Sequence, residues 1–429
     1  MKIAIAGYGV EGEASYKYWS IDPANEVTIV DESDSPKYLL PGGARTLLGA
    51  GAFQRLDEFD MVIRTPGLAP NKIKTNGKIW SATNEFFSRC PAEIIGVTGS
   101  KGKGTTASLI AAILQSAGRT VWLVGNIGQP ALEIVTKIQP QDIVVYELSS
   151  FQLWDVEYSP TTAVVLFIEP EHLDVHADMA EYVAAKARIT RFQKPDDIVV
   201  YNAENEYSRS IAESSAAVKI GFPGQETAHF DNGFFYNGEQ KLCSVTALQI
   251  PGAHNQSNAV AAINAVWKYT KDAAVIEAGL RSFKGLPHRL AFVREVNNVS
   301  YYDDSIATTP ASTVAAIASF IQPRVVIIGG KDKGGDYRSL VKAFITSGKI
   351  RAIISIGQNG PHITAMLDDH SLPLVHRVDS KDMRDIVAMA ASVALPGDVV
   401  IMSPAAASFD MFKDYADRGD QFVSAVNNL

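Results

Sequence analysis

The stretch Ile94-Ile95-Gly96-Val97-Thr98-Gly99-Ser100-Lys101-Gly102-Lys103-Gly104-Thr105-Thr106 places an apolar strand before a glycine-rich turn and a lysine. Glycines let the backbone come close to phosphate oxygens, and the amide groups that open the next helix carry partial positive charge. Lys103 adds a mobile cation to the turn. The stretch therefore predicts a strand, a phosphate-binding loop and a helix that together bind ATP or GTP.

The loop departs from the usual P-loop pattern at two positions. That pattern has a glycine five positions before its Gly-Lys pair and a Ser or Thr directly after the lysine. Here Val97 and Gly104 occupy these two positions. We therefore expect the magnesium-binding hydroxyl to come from Thr105 or Thr106. The alternative interpretation is a glycine-rich strand-to-helix turn that binds no ligand.

The composition is that of an ordinary globular chain. Its 429 residues are 46% hydrophobic and 20% charged, and a chain of this length predicts two or three domains. The net charge of −8 argues against broad binding to nucleic acid or to an anionic membrane.

The cysteines and the apolar runs bear on where the protein works. Only Cys90 and Cys243 are present, so a disulfide framework and a Cys-x-x-Cys metal site are excluded, and the reducing cytosol is expected. No signal-peptide core and no apolar run of membrane-spanning length occurs. We therefore predict a cytoplasmic protein.

Residues 1–91 carry a second glycine motif. The sequence GYGVEG sets Gly7, Gly9 and Gly12 in the pattern GxGxxG, and Asp31 ends the next predicted strand. Taken alone, this pattern indicates NAD or FAD. The segment has room for only half of a dinucleotide fold, so we favour a substrate that itself carries a diphosphate. The predicted elements are strands Lys2–Ala6, Val27–Val30 and Met61–Arg64 and a helix at Glu11–Trp19.

Residues 92–285 and 286–429 form two further segments. Strands that are apolar throughout predict parallel sheets covered on both faces, with ligands at the carboxyl ends of the strands. We predict an α/β fold of three domains: an N-terminal Rossmann-like domain, a central P-loop ATPase-type domain and a C-terminal Rossmann-like domain. The predicted elements are strands Val121–Val124, Ile143–Glu147, Ala163–Ile168, Arg324–Ile328, Ala352–Ile356 and Asp398–Met402 and a helix at Lys381–Ala394.

Acidic and histidine side chains follow the strands of the second segment. Glu147 ends a strand about forty residues after the phosphate loop, where a carboxylate can reach a magnesium ion held by phosphates. A capping or solvated acid is the alternative. His172 and His176 lie four residues apart among acids, a spacing that resembles zinc ligation. No further zinc motif accompanies them, so we favour magnesium for His172 and a structural role for His176.

Polar groups in and after PGAHNQSN complete the set of candidates. Asn255 and Asn258 lie one helical turn apart and present two amides to a ligand. Arg289 follows a Gly-Leu-Pro turn and can close onto a phosphate. The third segment has acids and hydroxyls in DDSIATTP, two lysines in GGKDKGGD and serines in SPAAASF. At least one of these lysines, Lys331 or Lys333, is expected to hold an anionic group such as a carboxylate.

Ten motifs in order along nearly the whole chain resemble those of the Mur ligases: TGSKGKGTT, GNIG, ELSSFQL, EPEHLD, YVAAKARI, PGAHNQSN, GLPHRL, DDSIATTP, GGKDKGGD and SPAAASFDMF. The resemblance implies a UDP-substrate domain at 1–91, an ATP-binding domain at 92–285 and an amino-acid-binding domain at 286–429. It implies an ATP-dependent ligase of peptidoglycan precursor synthesis that adds D-glutamate to UDP-N-acetylmuramoyl-L-alanine. It further implies two magnesium ions, small-molecule substrates only and a monomer.

The resemblance also assigns residues. Catalytic roles fall to Lys103, His172, Lys186 and Arg289. ATP is bound by Gly99, Ser100, Lys101, Gly102, Lys103, Gly104, Thr105, Thr106, Asn255, Asn258, His288, Arg289 and Asp304. Magnesium is bound by Thr105, Glu147, His172 and Lys186, the last as a carbamate formed with carbon dioxide. The UDP-sugar is bound by Gly9, Val10, Glu11, Glu32, Thr65, Gly67 and Asn126, and the amino acid by Thr308, Lys333, Ser408 and Tyr415.

Three positions depart from the family pattern. Gly104 replaces a hydroxyl residue, so we expect Thr105 to take more of the metal role. Lys101 replaces an asparagine, and Ile306 replaces a lysine found in some members, which leaves Lys333 to anchor the amino acid. The alternatives are a ligase of the same family for another amino acid such as L-glutamate, and a P-loop ATPase whose output is conformational.

Overall fold

A computed structural model describes residues 1–36, 38–125, 129–250, 252–332, 334–367 and 374–429. The first segment forms a five-stranded parallel sheet of strand order β3-β2-β1-β4-β5. The central strand β1 is buried after its first residue, as expected for a sheet covered on both faces. Its elements are β1 Lys2–Ala6, α1 Val10–Trp19, β2 Glu26–Asp31, β3 Arg45–Leu48, β4 Met61–Arg64, β5 Lys78–Ser81 and α2 Ala82–Arg89.

The second segment contains a six-stranded parallel sheet of order β11-β10-β9-β6-β8-β7. The phosphate loop leaves the central strand β6 and enters α3. The strands are β6 Glu93–Thr98, β7 Val121–Gly125, β8 Ile143–Glu147, β9 Thr162–Val165, β10 Ile198–Asn202 and β11 Val218–Phe222. The helices are α3 Lys103–Ser116, α4 Ala131–Ile134, α5 Ser150–Leu153, α6 Met179–Arg191, α7 Glu206–Glu213, α8 Ala253–Val266 and α9 Ala273–Ser282.

A small antiparallel sheet, which the sequence analysis did not predict, follows the second parallel sheet. Its strands are β12 Ala228–Asp231, β13 Phe234–Asn237 and β14 Gln240–Ser244. Asn232 and Gly233 in the first connection have φ of 45° and 81°, and Gly238 in the second has φ of 55°. Asn-Gly pairs are strong hairpin signals because both residues tolerate positive φ.

The third segment forms a six-stranded sheet of order β15-β16-β20-β17-β18-β19, in which β15 alone pairs antiparallel. Asp382 caps α13 by accepting a hydrogen bond from Arg384 N. The strands are β15 Ala291–Val296, β16 Val299–Asp303, β17 Arg324–Gly329, β18 Ile350–Ile356, β19 Leu374–Arg377 and β20 Val399–Met402. The helices are α10 Pro310–Ala318, α11 Arg338–Ser347, α12 Gly360–Ala365, α13 Met383–Val393 and α14 Tyr415–Asn427.

The α/β fold class is confirmed. Three predicted strands, β1, β4 and β8, have the predicted ends, and most of the others differ by one or two residues. The prediction of a strand at Ala163–Ile168 is wrong at its end, because β9 stops at Val165. Beyond it, Phe167 O accepts from Ser100 N, and Ile168 N donates to the Asn205 side chain. The backbone there bonds to the phosphate loop and to a side chain instead of a strand.

Contacts along the chain define two compact units. One comprises Met1–Ala247 and Gln256–Ser282, and the other comprises Leu248–Asn255 and Phe283–Leu429. The domain boundaries after residues 91 and 285 stay a prediction.

Cys90 and Cys243 are both free thiols. Within the described residues, every helix is too short or too polar to cross a membrane.

Candidate active site

The loop between β6 and α3 is contacted by the side chains of two lysines, Lys103 and Lys186. Gly99 and Gly102 have φ of 150° and 84°, and a Cβ on Gly99 would come within 2.7 Å of Leu166 Cβ. Lys103 Nζ turns back onto the loop and donates to Ser100 O at 2.9 Å. Only glycine fits this backbone path, which opens the start of α3 to a phosphate group.

Lys186, on α6, lies against the same loop. Its Nζ donates to Gly99 O at 2.7 Å, and the residue is only 1% exposed. Burial, and then the charge of Lys103, lower the pKa of Lys186 well below its ordinary value of 10.5. A larger fraction of the amine is therefore neutral, and the neutral form is the one that reacts with carbon dioxide to give a carbamate.

Tyr182, one turn before Lys186 on α6, fixes the loop from the same side. The Ser100 hydroxyl lies 2.9 Å from Tyr182 Oη and donates to Glu169 O at 2.9 Å. Lys101, where the family pattern has asparagine, pairs with Glu171 at 3.1 Å. Burial opposes ionisation of Glu171, but Lys101 and Lys103 outweigh it and lower its pKa. Sequence reasoning missed Tyr182, although YVAAKARI contains it.

Glu147 and His172 are both near the two lysines. Glu147 ends β8 opposite Val97 of β6, is 2% exposed, and its charge acts on Lys186. His172 has φ of 57°, and burial, together with the charge of Lys103, lowers its pKa. A neutral imidazole and a carboxylate are groups that can bind a metal ion.

His176 differs from His172 in its surroundings. It is 1% exposed, its Nε2 lies 3.0 Å from Ser150 Oγ, and its ring stacks on Phe151 at 5.4 Å. These contacts support the structural role predicted for it. Among the residues that the structure describes, no group of three or more His, Cys, Asp or Glu side chains is placed to hold a metal ion. A magnesium ion there would need phosphate oxygens and water as further ligands.

The hydroxyls and amides beside the loop differ in their partners. Thr105 and Thr106 are buried in the first turn of α3, and Thr106 Oγ1 has no hydrogen-bond partner within the described part of the chain. A Cβ on Gly102 would come within 2.3 Å of Asn258 Oδ1, so this amide lies against the loop. Asn255 lies on the same helix α8, as predicted, and belongs to the other compact unit.

The glycine motif of the first segment is tightly packed. A Cβ on Gly7 would approach Thr65 Oγ1 to 2.3 Å, and one on Gly12 would approach Gly7 O to the same distance. Gly9 caps α1, and no atom lies near the position of its missing Cβ. Asp31 accepts from Tyr8 N and Ser33 N, at 2.8 and 2.9 Å. Its carboxylate is engaged by the backbone, unlike the ribose-binding acid of a dinucleotide site.

Two side chains connect this motif with the segment after Glu147. Gln152 Nε2 donates to Glu11 Oε1 at 2.6 Å, and burial raises the pKa of Glu11 to about 7. Arg64, 1% exposed, donates to both carboxylate oxygens of Asp155 at 2.6 and 2.7 Å and to Phe151 O. Sequence reasoning missed Arg64, Gln152 and Asp155. Arg64 stands directly before the Thr65-Pro66-Gly67 turn, which was the available signal. The remaining predicted sugar-site residues Val10 and Glu32 are exposed.

In the second compact unit, His288 and Asp304 lie at the carboxyl end of β16. His288 Nδ1 lies 2.7 Å from Asp303 Oδ2, which raises the pKa of His288. Asp304 accepts from Ser403 Oγ at 2.7 Å and Leu290 N at 3.1 Å. Burial raises the pKa of Asp304 to about 7, although these bonds and the charge of Arg289 favour its ionised form.

The predicted amino-acid residues lie on three segments of this unit. Ser408 is buried, Thr308 is half-buried and Tyr415, 42% exposed, begins α14. Ser305 Oγ donates to Tyr415 O at 2.7 Å, so the segment after β16 and the start of α14 are in contact. The predicted residues Asn126 and Lys333 lie outside the described residues.

Comparisons with known proteins agree with these motifs. Residues 97–266 match the Mur ligase middle domain, and residues 288–406 match the Mur ligase, glutamate ligase domain. UDP-N-acetylmuramoylalanine--D-glutamate ligase of Clostridium tetani is 34% identical over 100% of this chain and 97% of its own length.

Two solved structures share the fold. UDP-N-acetylmuramate-alanine ligase from Thermotoga maritima has a TM-score of 0.63 at 19% identity, covering 100% of this chain and 99% of its own. MurF ligase from the same organism, in complex with ADP, has a TM-score of 0.60 at 17% identity, covering 99% and 94%.

Proposed function

The chain belongs to the Mur ligase family, and we propose that it joins D-glutamate to UDP-N-acetylmuramoyl-L-alanine at the expense of ATP. It is a ligase of peptidoglycan precursor synthesis, like the full-length relatives it matches. Its substrates are small molecules. We further propose that it acts as a monomer in the cytoplasm.

The observation that carries the proposal is the pair of lysines that bond to the backbone of the phosphate loop. Lys103 and Lys186 donate to the carbonyl oxygens of Ser100 and Gly99, and Glu147 ends the neighbouring strand. The Lys103 cation, the buried amine of Lys186 and a carboxylate at a loop of this shape suit a nucleoside triphosphate and its metal ions. ATP is the nucleotide that we expect, and MurF, which shares the fold, was solved with ADP.

Magnesium fits the groups available at this loop. Glu147, His172, the Thr105 hydroxyl and a carbamate on Lys186 would hold two ions, and the lowered pKa of Lys186 favours that carbamate. When bound, magnesium offsets the negative charge that accumulates where a carboxylate meets a triphosphate.

The reaction requires an activated carboxylate, because a free carboxylate is a poor electrophile. An oxygen of the alanine carboxylate attacks the γ-phosphorus of ATP, the bond to the bridging oxygen breaks, and ADP leaves with an acyl phosphate formed. The glutamate amine then attacks the acyl carbon, loses a proton, and inorganic phosphate leaves. Lys103 holds transferring phosphate oxygens through charge, and Arg289 is the second cation that we assign to the phosphates.

The glutamate site is assigned to the third segment, at Thr308, Lys333, Ser408 and Tyr415. Residues 1–91 bind the UDP-sugar at the start of α1 and at the Thr65-Pro66-Gly67 turn. Closure of the domains would bring the amine to the acyl phosphate and exclude water from it.

The test is a coupled assay of ADP release with product identification by mass spectrometry. We expect ADP release that requires UDP-N-acetylmuramoyl-L-alanine, magnesium and D-glutamate together, with one amide formed per ADP. Product with L-glutamate instead would establish the alternative ligase. ADP release that depends on neither the UDP-sugar nor D-glutamate would favour an ATPase whose output is conformational. Absence of ADP release would contradict the proposal.

A further inference from the structure

Three turns of the second compact unit meet at the carboxyl ends of β17, β18 and β20. A Cβ on Gly330 would come within 2.2 Å of Ala407 O, and one on Gly357 would come within 2.7 Å of Gly330 Cα. Lys331 N donates to Ala407 O at 2.7 Å. Glycine permits this close approach, since any side chain at either position would displace the neighbouring backbone.

Asn359, in the turn after β18, fixes both ends of the loop Gly330–Tyr337. It is 1% exposed. Its Oδ1 accepts from Gly330 N at 2.9 Å and its own N donates to Gly330 O at 3.0 Å, while Nδ2 donates to Tyr337 Oη at 2.7 Å. A buried amide with both ends bonded is fixed in one orientation, and it holds its partners in place.

The same turn also reaches the segment that follows Ser408. Gln358 N donates to Asp410 Oδ2 at 2.8 Å. The turn at residues 357–359 therefore contacts two segments, one carrying Lys331 and the other Ser408. Both segments belong to the site that the proposed function gives to the amino acid.

We propose that Asn359 is a positioning residue for the acidic amino-acid substrate, because it bonds to Gly330 and Tyr337, the two residues between which the lysine-containing sequence KDKGGD lies. The inference rests on the proposed function. A loop with three glycines would otherwise lose conformational entropy each time a substrate carboxylate orders it. Asn359 removes part of that cost in advance, so its loss weakens glutamate binding more than the chemical step.

The experiment compares steady-state kinetics of the full-length protein and three variants. We expect Asn359→Ala to raise KM for D-glutamate about tenfold, with KM for ATP and for the UDP-sugar within about twofold and kcat changed less. Tyr337→Phe, which loses the hydrogen bond from Asn359 Nδ2, should raise the KM for D-glutamate by a smaller factor. Asn359→Asp should recover most of the affinity, because its two oxygens accept from Gly330 N and from the Tyr337 hydroxyl.

Asp398→Ala is the matched control. Asp398 is 2% exposed, accepts from Arg351 and Leu395 N, and directly precedes β20, so it lies at the amino end of a strand whose carboxyl end is near the proposed site. It should lower the melting temperature without a selective change in KM for D-glutamate. An equal rise of all three KM values in Asn359→Ala, or a rise as large in the control, would overturn the proposal.

The outcomes separate the two claims. If the wild-type protein forms no product with D-glutamate, the proposed function fails and the positioning role fails with it. If the wild type is active and Asn359→Asp is no better than Asn359→Ala, only the positioning role fails. If Asn359→Ala does not fold, Asn359→Asp and Tyr337→Phe test the positioning role instead. An unchanged KM for D-glutamate in Tyr337→Phe would contradict it.

Discussion

Among single residues, the buried amine of Lys186 gives the most specific prediction, which concerns how the stability of the protein depends on pH. The pKa of Lys186 in the fold is lowered, so the native state binds fewer protons than the unfolded state at any pH between that lowered pKa and 10.5. Wild-type stability should therefore rise with pH across this range and fall as pH decreases. Lys186→Met has no proton to lose, so it should become more stable relative to wild type as the pH is lowered.

Urea unfolding at about pH 6 and about pH 9, in buffer free of carbon dioxide, measures this difference. The same variant should lose ligase activity by about 100-fold or more, the scale found when a group that stabilises transition-state charge is removed. Lys72→Met, at an exposed lysine, is the control and should keep the wild-type profile. Parallel pH profiles for Lys186→Met and wild type would contradict the argument.

The two hydroxyls after the phosphate loop give a second prediction. Thr105→Val should raise the magnesium concentration needed for half-maximal activity by about tenfold, since one oxygen ligand of the cation is lost. Thr106→Val should leave that concentration unchanged and keep or slightly raise stability, because the Thr106 hydroxyl is buried and has no hydrogen-bond partner among the residues that the structure describes. A magnesium titration of both variants distinguishes them. The reverse result would move the metal role to Thr106.

Sequence alone could place Lys103 but not Lys186. The first follows a glycine pattern whose backbone geometry is local, and the structure has that geometry. A lone lysine in an alanine-rich helix is ordinarily a solvated side chain, and only resemblance singled out Lys186. The Lys186 side chain is buried against Tyr182 on the same helix and against Gly99 O, which lies 87 residues away in the sequence. Long-range contacts of this kind leave no periodic signal.

At the scale of elements, Arg64 joins β4 to α5. Arg64→Met leaves Asp155 without its guanidinium partner, and removing one partner of a buried pair costs about 3–5 kcal/mol. Because the Asp155 side chain is 22% exposed, we expect a loss of about 2–3 kcal/mol in the free energy of unfolding. KM for the UDP-sugar should also rise, since Arg64 donates to Thr65 O in the predicted sugar site and to Leu68 O, directly after the Thr65-Pro66-Gly67 turn.

Denaturant unfolding and steady-state kinetics test this prediction. Arg64→Lys should recover little, because an ammonium cannot make the two parallel bonds of the guanidinium. Lys17→Met breaks the exposed pair with Glu13 and should leave the free energy of unfolding almost unchanged, because solvent screens this pair. Equal losses for Arg64→Met and Lys17→Met would show that the buried pair has no special role.

The strands show where sequence patterns reach their limit. Strands β1, β4 and β8 have the predicted ends because each is a short apolar run with a polar residue or turn after it. The apolar run at Leu166–Ile168 continues past β9, yet its backbone bonds to Ser100 N and the Asn205 side chain. Hydrophobic pattern reports burial and not the hydrogen-bond partner, so it cannot distinguish a strand from a buried segment that supports the phosphate loop.

At the scale of the whole molecule, the cores predict which fragments fold. One hydrophobic cluster includes Ile3 and Trp19 of the first segment together with Tyr146 and Leu153 of the second. Asn84 also bonds to the backbone of Asp155 and Glu157. One face of the first sheet therefore shares its core with the second sheet, while the other face has a cluster of its own within residues 4–68. Within the described residues, the buried members of the third segment's clusters all lie at residues 299–426.

We therefore expect a fragment of residues 286–429 to unfold cooperatively and a fragment of residues 1–91 to show no transition, while residues 1–285 fold as one unit. Circular dichroism melts of the three fragments measure this directly. The reason is that a fragment folds alone only if the apolar surface it buries is its own; in residues 1–91, Ile3 and Trp19 would lose partners from the missing segment. A cooperative melt of residues 1–91 would mean that the shared cluster is not needed for the first sheet to fold.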